Sequence, residues 1–455
     1  MTTQTLLDEI DRTVDQATGR LLEFLRIPSV STDPAHHRDC GRAADWLANQ
    51  LRDIGFESSV QPTEGLPAVV AVGPSENSTA LFYGHYDVQP TDPLDKWDHS
   101  PFEPIIEDRA GGRVIRGRGA SDDKGQLMTF VEACRAYRNV TGTLPRGVRF
   151  FFEGEEESGS PSLVPFLEKN RSHLSSSIAL ICDTGLFDHD TPAIVTMLRG
   201  LLAEEVTVSG PELDLHSGIY GGAAANPLRI LSHILSQLHD HQGRVTVPGF
   251  YQNIPELPDD LRTQWKKLDI RSQSLLTSVG LAHPAGEVDR SLLEMVWSRP
   301  TCEINGITGG YGGDGFKTVI PATATAKVSF RLVAGQDPAT IRRQFRTFVQ
   351  SQVPADCSVA FGEYGASPAC SFSLDHPLFD HVRAALSAEW PEDPVMVGCG
   401  GSIPVAGYFK SILGIDSVLT GFGLEDDQIH SPNEKYDIRS FHRGMRTWAR
   451  VLSNW

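Results

Sequence analysis

The chain has 455 residues, 40% of them hydrophobic, and its 40 basic and 58 acidic side chains leave a formal net charge of −18 with neutral histidines. At roughly 150 residues per domain, this length predicts two or three domains. The acidic charge argues against a nucleic-acid or anionic-membrane partner, because phosphate groups bind clustered lysines and arginines.

Cysteine usage and the N-terminus indicate the compartment. The seven cysteines are scattered, and no two have the spacing of a metal-binding pair. A disulfide framework is therefore not expected, and a reducing compartment is favoured. The segment MTTQTLLDEIDRTVDQ is acidic and amphipathic, unlike a secretory signal, and no apolar run approaches the roughly 20 residues of a membrane span. We expect a globular, cytoplasmic protein without a membrane partner.

The first third of the chain alternates helical and strand-like patterns. Apolar residues recur at helical spacing from Leu6 to Leu25, and a second amphipathic segment, GRAADWLANQLRDIG, ends at Gly55. Four apolar runs follow, with a helical pattern over residues 124–140 among them: PAVVAVG, TALFYGHYDV, GVRFFFEGE and SIALICDTG. Unbroken apolar runs are typical of strands buried on both faces. The alternation predicts an α/β domain with a mainly parallel sheet flanked by helices.

The pattern changes near residue 200. Residues 201–210 and 322–332 alternate polar and apolar side chains as half-exposed strands do. Residues 225–240 and 337–353 have the spacing of amphipathic helices. Two strands and two helices in this order predict a small α+β domain with a one-sided sheet.

The domain organisation follows from these patterns. After about residue 375 the α/β character returns, so a catalytic domain is predicted in two pieces, 1–202 and 373–455. Residues 203–372 are predicted to form an inserted α+β domain. Within it, segment 243–316 is rich in Pro and Gly and has no pattern that can be assigned to helices or strands.

Acidic and histidine side chains follow the apolar runs or begin the helix between them. They are His85, Asp87, Asp122, Glu153, Glu155, Glu156, Glu157 and Asp183, and His430 offers a further imidazole downstream. Ligands of open α/β sheets bind beyond the carboxyl ends of the strands, so we expect these groups at one edge. Carboxylates gathered there repel one another unless a cation balances them, and imidazole with carboxylate suits zinc or manganese better than calcium or magnesium.

Each of these residues taken alone has an ordinary structural explanation. A histidine at a strand end is commonly just hydrogen-bonded, an acidic run is commonly a solvated loop, and an aspartate is commonly a helix cap. Their joint occurrence at successive strand ends is what favours a metal site. Asp87 and His85 are two residues apart and point to one face of a strand, so Asp87 is expected to orient the imidazole.

Eight motifs occur in a characteristic order: GHYDVQP, GRGASDDKG, GEEESGS, DLHSGIYGG, KTVIP, FRLV, GGSIPV and HSPNE. With them, the chain resembles the dinuclear metallopeptidase family of aminoacylase, carboxypeptidase G, succinyl-diaminopimelate desuccinylase and the cytosolic non-specific dipeptidases. The resemblance extends over nearly the whole chain. The motifs DLHSGIYGG, KTVIP and GGSIPV are most similar to those of the branch that contains non-specific dipeptidase and carnosinase.

The resemblance implies two divalent metal ions per subunit, with zinc favoured and manganese or cobalt as alternatives. Their ligands would be His85, Asp122, Glu157, Asp183 and His430, with Asp122 shared between the two ions. Glu156 would be the general base, and Asp87 would orient His85. Three successive glutamates leave the register open, since a slip of one residue would exchange base and ligand; counting back from Ser158 selects Glu156 and Glu157 and leaves Glu155 without a role.

The resemblance also assigns residues of the inserted domain, which would be a lid and a homodimerisation domain. His216 would stabilise the oxyanion across the dimer interface. Arg331, Thr318, Gly401 and Ser402 would contact the C-terminal carboxylate end of a small peptide. Without the resemblance, Arg331 would be interpreted as part of an ordinary strand salt bridge.

The expected function is therefore metal-dependent hydrolysis of short peptides, chiefly dipeptides with a free C-terminal carboxylate. Two alternatives use the same metal site: deacylation of N-acyl amino acids, and cleavage of β-alanyl-histidine as in carnosinase. A non-catalytic relative is an alternative of another class. It would be marked by loss of the base or of several ligands, whereas every expected position is filled here.

Overall fold

The computed structural model describes residues 2–74, 80–272, 274–401 and 403–454. They form two compact units. The first consists of Met1–Thr196, Phe372–Met396 and Tyr408–Trp455, and the second of Met197–Ser371 and Val397–Gly407. The predicted domain boundaries at 202 and 372 fall close to these breaks, but residues 397–407 group with the second unit rather than with the C-terminal piece of the first.

The strands and helices of the described residues are numbered here in chain order. The strands are β1 Glu57–Gln61, β2 Ala68–Val72, β3 Ala80–His85, β4 Ile105–Arg109, β5 Gly112–Arg116, β6 Val148–Glu153, β7 Ile178–Ile181, β8 Ala193–Leu198, β9 Gly200–Ser209, β10 Leu215–His216, β11 Thr301–Gly309, β12 Val319–Ile320, β13 Thr323–Leu332, β14 Ser358–Ser367, β15 Cys370–Ser371, β16 Val395–Cys399, β17 Asp416–Leu419 and β18 Lys435–Asp437. The helices are α1 Thr3–Leu25, α2 His37–Ile54, α3 Lys124–Thr141, α4 Leu163–Lys169, α5 Arg171–Leu174, α6 Ser217–Tyr220, α7 Pro227–Ser236, α8 Asp259–Ser272, α9 Ser274–Thr277, α10 Leu292–Trp297, α11 Pro338–Gln350, α12 Pro377–Glu389, α13 Pro404–Tyr408 and α14 Ile438–Ser453.

The first unit is built on a twisted sheet with the order β1-β2-β6-β3-β7-β17-β8. Its four central strands β6, β3, β7 and β17 are parallel. Three of them, β6, β3 and β7, lie in apolar runs that predicted parallel strands. The prediction is wrong for the first run, PAVVAVG, because it forms β2, which is antiparallel to both of its neighbours. The outer pairs β1–β2, β2–β6 and β17–β8 are antiparallel. The short connection between β1 and β2 permits only a hairpin, whereas parallel neighbours need a crossover.

An aromatic core holds α3 against this sheet. The Phe82 and Phe130 rings stack with centroids 4.1 Å apart, and the Trp448 ring lies 5.3 Å from Phe130. Trp448 Nε1 also donates a hydrogen bond of 3.0 Å to Thr129 Oγ1. These contacts pack α3 between the sheet and α14.

The second unit contains a four-stranded antiparallel sheet with the order β11-β13-β9-β14. Burial alternates strictly along β9, as the sequence pattern predicted, and the buried side chains of β9 and β13 share one core cluster with α7 and α11. Segment 243–316 contains α8, α9, α10 and β11. Within the described ranges, no helix is both long enough and apolar enough to span a membrane.

Candidate metal and catalytic site

Three adjacent parallel strands of the first unit deliver polar side chains to one edge. Strand β3 ends at His85, β6 ends at Glu153, and β7 ends two residues before Asp183. The sheet order β6-β3-β7 makes these strand ends neighbours. Asp122 lies two residues before the start of α3, which packs on the sheet through the aromatic core. The edge predicted from the sequence is therefore present in the fold.

The Asp122 carboxylate lies between two imidazoles. Its Oδ1 is 3.1 Å from His85 Nε2, and its Oδ2 is 3.0 Å from His430 Nε2. His430 Nε2 is also 3.3 Å from Glu157 Oε2, and His85 Nε2 is 3.9 Å from Asp183 Oδ1. The structure thus brings together the five side chains that the family resemblance assigned to metals, with Asp122 at their centre.

Potential ligand atoms form two groups, and within each group all the atoms lie within 4.8 Å of one another. One group is His85, Asp123 and Asp183, and the other is Asp122, Glu157 and His430. Asp123 was not anticipated, although the DDK motif contains it. It is fully buried, and its Oδ2 accepts the backbone N–H of His85 at 3.1 Å. Its Oδ1 has no hydrogen-bond partner within the described part of the chain. An orphaned buried oxygen among carboxylates and imidazoles fits a divalent cation.

The electrostatics of Glu156 reflect the crowding of acids at this edge. Burial raises the pKa of Glu156 to about 7, and the charges of Glu157 and Asp122 act in the same direction against the opposing effect of His85. A carboxyl group with this pKa can accept and release a proton near neutral pH. Glu156 lies in a short 3-10 helix, Glu156–Ser158, directly beyond strand β6.

The other acids of the edge depend on their cationic neighbours. Burial acts to raise the pKa of Asp122, yet hydrogen bonds with His430 and His85 hold it below its usual range. Hydrogen bonds with Asp122 and Glu157 raise the pKa of His430 to about 10. Burial and neighbouring carboxylates raise the pKa of Asp183 well above its usual value. The edge is short of positive charge, which a divalent ion would supply.

Asp87 organises both sides of the cluster. Its Oδ1 lies 3.4 Å from His85 Nδ1, and its carbonyl oxygen lies 3.1 Å from the same nitrogen. Its carboxylate also accepts the backbone N–H groups of Glu156 at 3.3 Å and Glu157 at 3.0 Å. Asp87 is fully buried. Its position therefore fits the orienting role implied by the resemblance and adds a contact with the glutamate segment.

The three successive glutamates point in different directions. Glu155 accepts the backbone N–H of Leu66 at 2.8 Å and of Ser162 at 3.1 Å, away from the imidazoles. Glu157 faces His430 and accepts a 2.8 Å hydrogen bond from Gln89 Nε2. This geometry favours the register in which Glu157 is a ligand, Glu156 is the base and Glu155 anchors the backbone.

His216 and Thr318 belong to the second unit, where β10 pairs with β12. The Ser217 N–H donates to the Thr318 carbonyl oxygen at 3.1 Å. His216 Nδ1 accepts the Gly218 N–H at 2.9 Å, which requires the proton of a neutral ring to be on Nε2. The His216 side chain is exposed. It therefore presents an N–H donor to solvent.

Arg331 also belongs to the second unit, on β13. Among the residues described, Arg331 makes no salt bridge within 4.0 Å. The alternative that it forms an ordinary ion pair on its strand is therefore not supported. Its neighbour Arg199 was not predicted from the sequence. Burial and, to a lesser extent, the charge of Arg331 lower the pKa of Arg199 to about 10. Arg199 Nε donates to the Gly400 carbonyl oxygen at 3.1 Å, next to exposed Gly401. Ser402 lies outside the described residues.

Comparison with known proteins gives a consistent result. Residues 81–454 match the model of Peptidase family M20/M25/M40. The Cys-Gly metallodipeptidase of Schizosaccharomyces pombe is 31% identical over 467 residues, which covers 99% of this chain and 97% of the yeast protein.

Two solved structures are similar over nearly their full length. Human carnosine dipeptidase 1 matches with a TM-score of 0.80 and 26% identity, covering 99% of this chain and 98% of that one. A metallo-carboxypeptidase, Sso-CP2 from Sulfolobus solfataricus, matches with a TM-score of 0.81 and 30% identity, covering 96% of this chain and 98% of that one.

Proposed function

The chain belongs to Peptidase family M20/M25/M40, and we propose that it is a metal-dependent dipeptidase acting on small peptides with a free C-terminal carboxylate. The family resemblance stated from the motifs is confirmed, and so are the α/β fold class and metallopeptidase activity on amide bonds. The observation that carries the proposal is the sheet edge where Asp122 joins two groups of ligand side chains beside Glu156.

We propose that two divalent ions bind at this edge, with zinc favoured and manganese or cobalt as alternatives. His85, Asp183 and Asp122 would hold one ion, and Asp122, Glu157 and His430 would hold the other. Asp123, which groups with His85 and Asp183, is a further candidate ligand of the first ion. The mixture of imidazole and carboxylate oxygen supports this choice of metals. When bound, such ions supply the Lewis acidity that makes water a nucleophile at neutral pH.

The side chains would divide the remaining work. Glu156 would take the proton of the attacking water and later deliver it to the leaving amine. Asp87 would keep His85 in one orientation through its Nδ1 contacts. His216 would donate its Nε2–H to the developing oxyanion. Arg331 would bind the substrate's carboxylate with two parallel N–H bonds, assisted by the KTVIP and GGSIPV segments that contain Thr318, Gly401 and Ser402.

We propose a homodimer formed through the second unit. Strand β11 is at an edge of its sheet and exposes Ile304 and Ile307, with relative exposures of 42% and 50%. Ile219 and Phe316, close in sequence to His216 and Thr318, are 72% and 91% exposed. Exposed apolar side chains at an open sheet edge favour pairing with another chain. A cytoplasmic location is also proposed, since all seven cysteines are free thiols.

The decisive experiment is a hydrolysis panel on chelator-stripped protein, repeated after addition of zinc or manganese. The panel contains Cys-Gly, β-Ala-His, a tripeptide and N-acetyl amino acids. We expect no activity without metal and restored cleavage of dipeptides with it. Restored cleavage of acyl amino acids alone would assign the chain to the deacylases instead. Two bound ions per chain without cleavage of any dipeptide would contradict the proposal.

Glu155→Gln tests the proposed register of the three glutamates. Its side chain accepts two backbone N–H groups and is only 6% exposed, so the change is expected to lower the free energy of unfolding by about 1–3 kcal/mol. Dipeptide turnover of the folded, metal-loaded variant is expected to stay within a few-fold of the parent. Urea unfolding and kcat measured on the same preparation separate the two effects. Loss of turnover with unchanged stability would show that Glu155, not Glu156, is the base.

A further inference from the structure

A buried carboxylate outside the expected site binds the segment that carries Asp122. Glu434 is fully buried just before β18. Its Oε2 accepts Arg118 Nη1 at 2.8 Å and the Gly119 N–H at 2.9 Å. Its Oε1 accepts the N–H groups of Ser121 at 2.9 Å and of Asp122 at 3.1 Å. Four donors therefore converge on one side chain, and one of them is the backbone of the shared ligand.

A second contact joins the same two segments. Ser121 Oγ donates to Asp427 Oδ2 at 2.7 Å, and Lys435 Nζ donates to Asp427 Oδ1 at 2.7 Å. The two acceptors, Asp427 and Glu434, therefore lie on either side of His430 in the same loop. The turn segment between β5 and α3 and this loop are held together by buried charge-assisted hydrogen bonds, which are about twice as strong as neutral ones.

The loop has an uncommon backbone conformation at three positions. Gln428, His430 and Asn433 all have left-handed backbones, with φ angles of 56°, 62° and 65°. Such angles are uncommon for residues other than glycine, although histidine and asparagine adopt them more readily than most. Glu434 follows Asn433 directly, so its four hydrogen bonds are one of the constraints on the loop.

We propose that Glu434 is a positioning residue that fixes the position of Asp122 relative to His430 before any metal binds. It acts through the backbone of Asp122 and through its own place in the His430 loop, and it touches neither metal nor substrate. The proposal rests on the metal site of the proposed function. Its consequence is that metal affinity, rather than only stability, depends on a carboxylate that is not a ligand.

The test is Glu434→Gln, which keeps the shape of the side chain. The amide has one acceptor oxygen, so its NH2 group must face at least one of the N–H donors that the carboxylate now accepts. We expect the metal dissociation constant to rise about 10- to 100-fold, the range seen when a group supporting a ligand is removed. It is measured by titrating the chelator-stripped full-length protein with zinc in competition with a chromophoric chelator.

Glu132→Gln is the matched control. Glu132 is 4% exposed on α3 and binds Arg20 at 2.6 Å and Arg135 at 3.2 Å, and both arginines lie outside the ligand segments. This variant is expected to lose stability but to keep the parental metal affinity. An unchanged dissociation constant in Glu434→Gln, or an equal rise in both variants, overturns the proposal.

Two further outcomes are distinguishable. If the parent protein itself binds no metal, the metal site of the proposed function fails, whatever Glu434 does. If Glu434→Gln does not fold, Glu434→Asp replaces it, because the shorter carboxylate keeps its charge but cannot reach both pairs of donors from the same backbone position. A rise in the dissociation constant is expected there as well, and an unchanged value overturns the proposal.

Discussion

Glu156→Gln is expected to lower kcat for dipeptide hydrolysis by about 10²- to 10⁴-fold, the range that a general base contributes. Glutamine keeps the volume of the side chain, but its amide cannot accept the proton of the attacking water. Glu156 is in neither group of potential ligand atoms, so the variant is expected to retain its metals. Steady-state kinetics and metal content by mass spectrometry, measured on one preparation, check both parts.

Glu155→Gln and Glu157→Gln complete this series. Glu157 lies 3.3 Å from His430 and belongs to one of the ligand groups, so its replacement is expected to lower metal content as well as turnover. Glu155→Gln is expected to affect stability alone. If Glu156→Gln loses metal while Glu157→Gln keeps it, the assignment of base and ligand is slipped by one residue. Near-parental turnover in Glu156→Gln would refute the proposed base outright.

His216→Ala is expected to lower kcat by about 10²- to 10³-fold, as removal of one donor to an oxyanion does. His216 is exposed, and its Nδ1 accepts the nearby Gly218 N–H, so little stability should be lost. Metal content is expected to be unchanged because His216 is in neither ligand group. His216→Gln, which retains an N–H donor, is expected to recover part of the activity.

Mixed dimers test whether His216 acts in the partner's site. A dimer of one His216→Ala subunit and one Glu156→Gln subunit would have one site with both an intact base and an intact donor if the donor comes from the other subunit. Co-expression with two affinity tags isolates this species. Activity well above that of either parental homodimer is expected. Activity no higher than that of the homodimers would place His216 in its own subunit's site.

The sequence alone determined which kinds of side chain gather at the site. Apolar runs buried on both faces indicate parallel strands, and parallel strands bring their carboxyl ends to a single edge. His85 and Asp183, which end different runs, could therefore be placed together without knowing the strand order. The alternation along β9 and β13 likewise predicted a sheet with one buried face.

Only the tertiary structure decided the contacts between distant parts of the chain. The register of the three glutamates depends on where Glu155 points. Its carboxylate accepts the backbone N–H of Leu66, which lies in a loop that no local sequence pattern specifies. Segment 243–316 gave no periodic signal, yet its described residues form three helices and a strand. Local propensity is weak there, and packing against the rest of the unit supplies the stability of these elements.

Glu434 illustrates the same limit at the site itself. Its sequence context, HSPNE, identifies a motif but not a partner, because Asp122 is 312 positions away along the chain. Hydrogen bonds across such distances depend on burial, which removes water as a competitor and makes each unpaired donor costly. The chemistry of the ligands was therefore readable from residue types and spacing. The support that holds them in place was decided by the folded backbone.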